Sequence, residues 1–163
     1  MLHTPSLAAL IFLSAALPLG LYTVWSDLSR MKIPNHVTDL LFVLFVILGF
    51  FALPWEDYLW RYANFAGGLA FGFLFYATGS MGAGDSKFIA AALPYVAAAD
   101  LIFTGMIFAA ALLGAWVTHK LVAMSPLRRL APDWASWHAG PKHPMGIALS
   151  ATLIVYLGLC AIQ

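Results

Sequence analysis

Charge is scarce in this chain. Lys, Arg, Asp and Glu make up 9% of its 163 residues, against 63% hydrophobic residues. A soluble domain carries about 25% charged residues. So little polar surface excludes an ordinary water-soluble globule, and so much hydrophobicity excludes a disordered chain. The net charge of +1 supplies no field that would gather nucleic acid. Cysteine is nearly absent. Cys160 stands alone, which excludes an internal disulfide framework and a cysteine-cluster zinc site. No Lys or Arg precedes Arg30, so the basic start of a secretory signal is missing. The first apolar run therefore reads as a retained helix.

What remains is a series of apolar runs. They cover Leu7–Trp25, Val37–Leu53, Tyr58–Thr78, Phe88–Ala99, Leu101–His119 and Met145–Ile162. A span takes roughly 20 residues, so six need about 120 and leave little for loops. The pattern predicts an all-α membrane protein: a single six-helix transmembrane bundle over residues 1–163, with a short fourth helix interrupted by Pro94. With six spans, seven of the eight basic residues fall on one side. Arg61 is the exception, in the loop after span two beside Glu56 and Asp57. The positive-inside rule makes the basic side cytoplasmic and turns both termini outward. Gly68 and Gly72 in span three have the spacing that lets another helix approach closely. The Lys120–His143 loop reads as a membrane-surface connector or a partner platform, with Trp134 and Trp137 at headgroup level. Its Ser125-Pro126 pair reads as a helix cap followed by a first-turn proline.

Ionisable groups at a membrane are costly and mark function. Glu56, Asp57 and Asp100 fall on the outer side as solvated loop or cap residues. Asp133 is expected to pair within the basic loop. Asp39, in the first turn of span two, suits the helix dipole. Asp27 lies at the inner end of span one, shortly before the Pro34-Asn35 breaker. Asp85 lies among Gly79, Gly82 and Gly84, which allow a tight backbone. Taken singly, Asp27 is a headgroup counter-ion and Asp85 a helix N-cap. The topology brings both to one membrane face. Two adjacent carboxylates share a proton, so one acts as base toward water and the other as acid toward a carbonyl. That chemistry cuts a peptide bond without a metal or a nucleophilic side chain.

The segment Gly82-Ala83-Gly84-Asp85-Ser86-Lys87 resembles the G-x-G-D-x-K signature of the prepilin peptidases, a family of membrane aspartic proteases. Asp27 followed by Ile33-Pro34-Asn35 is similar to the family's other aspartate and its I-P-N element. Lys142-His143-Pro144-Met145-Gly146 resembles the entry to its last span. The resemblance implies an aspartic endopeptidase of the bacterial inner membrane. It would remove the leader of type IV prepilins or pseudopilins at the cytoplasmic face, with Asp27 and Asp85 as the catalytic pair. Gly82, Gly84, Lys87, Pro34 and Asn35 would shape the site or meet substrate, and Lys87 would bias the carboxylate charge or hold lipid phosphate. No cofactor or metal is implied. Pilus assembly proteins are the expected partners besides the prepilin. Only about eleven residues separate the first two spans, so the chain resembles the short branch associated with Flp (tight-adherence) pili, without N-methyltransferase activity. A non-catalytic pilus assembly protein and a small proton-coupled transporter are the rival readings.

Overall fold

Proline opens each of the first three helices in the computed structural model, which describes residues 2–140 and 142–163. Pro5, Pro34 and Pro54 stand at the N-caps of α1 (Ser6–Arg30), α2 (Asn35–Ala52) and α3 (Trp55–Ala77). There the missing N–H costs no helical hydrogen bond. The remaining helices are α4 (Ala83–Ala92), α5 (Leu101–Met124) and α6 (Gly146–Ala161). Among the described residues there is no strand. Pro94 ends α4 and leaves a 3-10 turn at Leu93–Tyr95.

The chain is all-helical and membrane-type, but the six apolar runs are not equivalent. Among the described residues, three stretches are long and apolar enough to cross a membrane: Ser6–Arg30, Asn35–Ala52 and Ala98–Met124. Helix α6 has 16 residues, about 24 Å, and α4 has 10, about 15 Å, against a hydrocarbon core of roughly 30 Å. Helix α3 is long, but its first turns carry Glu56, Asp57, Arg61 and Asn64.

Helix α1 lies along α6 and α2, and α4 is enclosed by α2, α3 and α6. Phe12, Phe45 and Tyr95 meet edge-on or tilted at the centre, with ring centroids 5.0–5.9 Å apart. The glycine pair in α3 seats α4. A Cβ on Gly72 would fall 2.9 Å from the Ser86 Cβ, and one on Gly68 would fall 2.9 Å from the Ala90 Cα. These two helices therefore touch backbone to backbone, as the spacing predicts.

One end of the bundle corrects the sequence reading. Arg61 is not in a loop. It lies in α3, 5% exposed, and donates to Thr4 Oγ1 (3.1 Å) and the Pro94 carbonyl (3.3 Å). Asp100 is not solvated either; it is 3% exposed. It accepts from Tyr156 Oη (2.8 Å) and the His3 backbone N–H (2.8 Å), and it pairs with His3 Nδ1 (2.7 Å). Thr4 Oγ1 and Tyr156 Oη lie 2.7 Å apart. The donors run in one direction, Arg61 to Thr4 to Tyr156 to Asp100, so every buried polar group on the path is paired. Asp133 makes no ion pair among the described residues, because the His3–Asp100 contact is the one found there. Asp39 sits one turn further into α2 than the spacing predicts, and it is exposed. Ser125 does cap a helical turn: its hydroxyl accepts from the Leu127 N–H, and Pro126 opens the 3-10 segment Pro126–Leu130.

Candidate active site

The opposite end collects the aspartates. Helix α1 is apolar up to Trp25, then buries Ser26 and Asp27. It stops where Met31 turns left-handed (φ 52°) and donates its N–H to the Asp27 carbonyl (2.8 Å). Ser26 Oγ donates to the Lys32 carbonyl (2.9 Å), which folds the returning chain against the helix. Pro34 then starts α2. Asp27 is thus fixed on a rigid element, 5% exposed.

Asp85 is placed by glycines. Gly79 ends the α3 segment with a positive φ of 72°, which a side chain would resist. Gly82 is the N-cap of α4, so Asp85 is the third helical residue rather than the cap itself. The Gly82 N–H donates to Asp85 Oδ2 (3.2 Å). A Cβ on Gly82 would lie 2.8 Å from that oxygen, so a side chain there would turn the carboxylate out of this position. Gly84 packs on the I-P-N element, where a Cβ would lie 3.1 Å from the Ile33 carbonyl oxygen. Lys87 Nζ donates to Asn35 Oδ1 (2.9 Å). The two motifs, some fifty residues apart, are therefore bound together by Gly84 on Ile33 and Lys87 on Asn35. Pro34 contributes the turn between them.

The third contributor is α6. The Gly146 N–H, at the helix start with no intrahelical partner, donates to Asp27 Oδ2 (2.7 Å). A Cβ there would lie 2.8 Å from the Asp27 Cβ. Gly146 was visible in the sequence only as part of the last-span entry. Its available signal was a glycine at the first position of a helix, where glycine has no general advantage. Ser86, which anchors α4 by donating to the Gly72 carbonyl (2.9 Å), gave no signal at all.

Asp27 and Asp85 line one cavity of about 1030 Å³, together with Ile33, Asn35, Gly82 and Gly84. Arg30, Lys32, Lys142 and His143 also line it. The second oxygen of each carboxylate makes no hydrogen bond among the described residues. Asp85 lies ahead of the apolar run that starts at Phe88. Burial, and then the neighbouring Asp27 charge, push it from the ordinary 3.8 up to about 6, against the opposing Gly82 N–H. Such a pair holds a proton where an isolated surface aspartate would have lost it.

Residues 11–119, 109 of the 163, match the type IV leader peptidase family. The chain belongs to this family. Comparison with curated proteins and with solved structures gives no significant match. The matched region runs from α1 through most of α5. It contains both aspartates and the glycine loop, and it stops before Gly146. Family membership and the apolar helices together make the chain a peptidase-type integral membrane protein.

The raised Asp85 value has a measurable consequence. Folding favours the protonated form, so this contribution to stability is fully present below pH 3.8. It is lost as pH rises through about 6. At pH 7 the ionised group costs the fold on the order of 1–2 kcal/mol, after discounting for solvent screening of a partly exposed carboxylate. Asp85→Asn keeps an acceptor for the Gly82 N–H and removes the charge. Its melting temperature is expected to exceed that of the wild type at pH 7 and to converge with it near pH 4. Melts across that range in one detergent decide it. A pH-independent difference, or a less stable variant at pH 7, contradicts this account of Asp85.

Proposed function

We propose that this chain is a di-aspartate prepilin peptidase that hydrolyses the leader of Flp-like type IV prepilins or pseudopilins at the cytoplasmic face of the inner membrane. One observation carries the reading: Asp27 and Asp85 line one cavity, each tethered through a single oxygen to a glycine N–H. That leaves the second oxygen of each carboxylate without a hydrogen bond among the described residues. Burial, with the neighbouring Asp27 charge, raises the proton affinity of Asp85 against its Gly82 tether, so that the pair shares one proton.

The leader–pilin junction leaves its helix, because a helical backbone occupies its own carbonyls. Its scissile carbonyl then lies between the carboxylates. The ionised aspartate takes a proton from water, and the resulting hydroxide adds to the carbonyl carbon. The protonated aspartate donates to the carbonyl oxygen. Collapse of the tetrahedral species breaks the C–N bond; the amine leaves with a proton from the first aspartate, and a hydroxyl of the diol returns its proton to the second. Acid and base are properties of the pair rather than of either residue. Gly82, Gly84, Pro34, Asn35 and Lys87 hold the geometry, while Arg30, Lys32 and Lys142 suit lipid phosphates. Both termini face outward in this reading. The short α1–α2 connection has no segment for a methyl donor, so the new pilin terminus stays unmethylated.

The test is co-expression with candidate prepilins from the same genome, followed by gel shift and N-terminal mass spectrometry. Loss of the leader, with an unmodified new terminus, is expected. Intact prepilins throughout, beside correctly inserted enzyme, would return the weight to a non-catalytic assembly role.

A further inference from the structure

An apolar groove leads away from the carboxylate cavity and shares no lining residue with it. Among the described residues, α5 packs closely on α6 but stands off from α3 and α4. The gap encloses about 390 Å³. Three helices line cavity and groove in successive turns. On α4, Asp85 lines the cavity, and Phe88 and Ile89 line the groove. On α5, Leu112 lines the cavity and Phe108 the groove. At the start of α6, Met145 lines the cavity, and Leu149 lines the groove. Each step is one helical turn, about 5.4 Å, so the two spaces are consecutive stretches of one trough. The groove reaches Leu101, toward the Arg61–Asp100 end of the bundle.

We propose, resting on the peptidase reading, that this groove seats the apolar transmembrane helix of the substrate, on one side of the bond to be cut. Lipid tails are as apolar as leucine, so an apolar lining alone does not choose between a tail and a helix. Three features choose the helix. The first is continuity: a helix lying in the groove delivers its unwound end to Asp27 and Asp85, one turn beyond. The second is Gly105, which lines the groove with no atom within 4 Å of its virtual Cβ. It seats nothing in this chain, and it gives another helix the close approach that Gly68 and Gly72 give α4. The third is Thr104, 8% exposed, which lines the groove and has a hydroxyl without a partner. Threonine hydroxyls in membranes bond across to neighbouring helices, whereas an acyl tail has no atom to receive one. A helix laid in a groove inserts one face, at i, i+3 or i+4 and i+7, so that face of the substrate is what the groove reads.

The experiment uses a prepilin that the wild-type chain cuts on co-expression. A benzophenone-bearing amino acid replaces Phe71, which lines the groove, or Phe73, which is exposed outside it, about 200° around α3. Both are made in the Asp85→Asn background, which holds the substrate uncut. Irradiated membranes are expected to give an adduct from position 71, mapped by mass spectrometry to the prepilin's apolar helix, and none with the prepilin from position 73. Adducts with lipid alone, or with a second copy of the chain, overturn the groove and leave the peptidase reading standing. If the wild type cuts no prepilin, the peptidase reading and this occupant fall together. Gly105→Phe and Gly114→Phe give a second measure. Both glycines have open space at the virtual Cβ, but they lie on opposite sides of α5, and Gly114 lines neither space. Gly105→Phe is expected to lower kcat/KM for the prepilin about tenfold or more, through KM, while Gly114→Phe cuts as the wild type does. Wild-type kinetics in Gly105→Phe overturn the proposal.

Discussion

Asp27→Asn and Asp85→Asn are each expected to leave the prepilin uncut in a cell that accumulates the variant in its membrane at the wild-type level. The fold has no reason to fail. An asparagine carbonyl still accepts the Gly146 N–H at position 27 or the Gly82 N–H at position 85, at nearly unchanged volume. The chemistry has every reason to fail. A single remaining carboxylate cannot both take a proton from water and give one to the carbonyl oxygen. Positioned acid–base groups contribute about 10²–10⁴-fold each, so a fall of at least about 10²-fold in leader removal is expected from either change. Groups that act as a unit lose their effect together. The double variant should therefore be no slower than either single one. Quantified processing in matched membranes tests all three proteins. Processing by either single variant at more than a tenth of the wild-type rate would remove its aspartate from the reaction. A double variant much slower than both singles would show that the carboxylates work separately.

How much of this was legible in the sequence depended on whether the signal was local. The helices were legible because apolar runs and prolines act within a few residues; Pro34, Pro54 and Pro94 mark boundaries in the string and in the structure alike. The Gly68 and Gly72 contact was legible for the same reason. The aspartate motifs were legible as patterns, yet their joint was not. No spacing rule announces that Lys87 reaches Asn35 or that Gly84 rests on Ile33, because those contacts exist only after α2 and α4 pack. Arg61 and Asp100 misled for the opposite reason. Each sits near the start of a helix at a bundle end, where charge ordinarily meets water. Their partners Thr4, Pro94, His3 and Tyr156 come from distant parts of the chain. The short fourth run was legible in the sequence, but its depth was not. Hydrophobicity measures what a segment avoids, not how far it reaches, and α4 is enclosed by protein rather than long enough to span.

The largest effect outside the carboxylates is expected at Gly146. Its N–H is the sole hydrogen bond to the Asp27 side chain among the described residues. Gly146→Ala would set a methyl carbon 2.8 Å from the Asp27 Cβ and 2.9 Å from its Oδ2. Both atoms belong to a short side chain on the rigid end of α1, so neither yields by a simple rotation. Either the carboxylate swings away and loses the hydrogen bond, or the start of α6 backs off and takes the N–H with it. Both movements are of ångström size, and a displacement of about 1 Å at a reacting group costs on the order of 10²-fold in rate. Overpacking costs about 1–3 kcal/mol of stability as well. Gly158 supplies the control. It lies in the same helix with no atom within 4 Å of its virtual Cβ, so Gly158→Ala should cut leaders and melt as the wild type does. Cleavage rates of the two variants at equal membrane abundance, with their melting temperatures, test the assignment. Wild-type cleavage by Gly146→Ala would mean that the α6 N-terminus supports the fold alone. A slow but fully stable Gly146→Ala protein would show that α6, outside the matched region, positions Asp27 for the reaction.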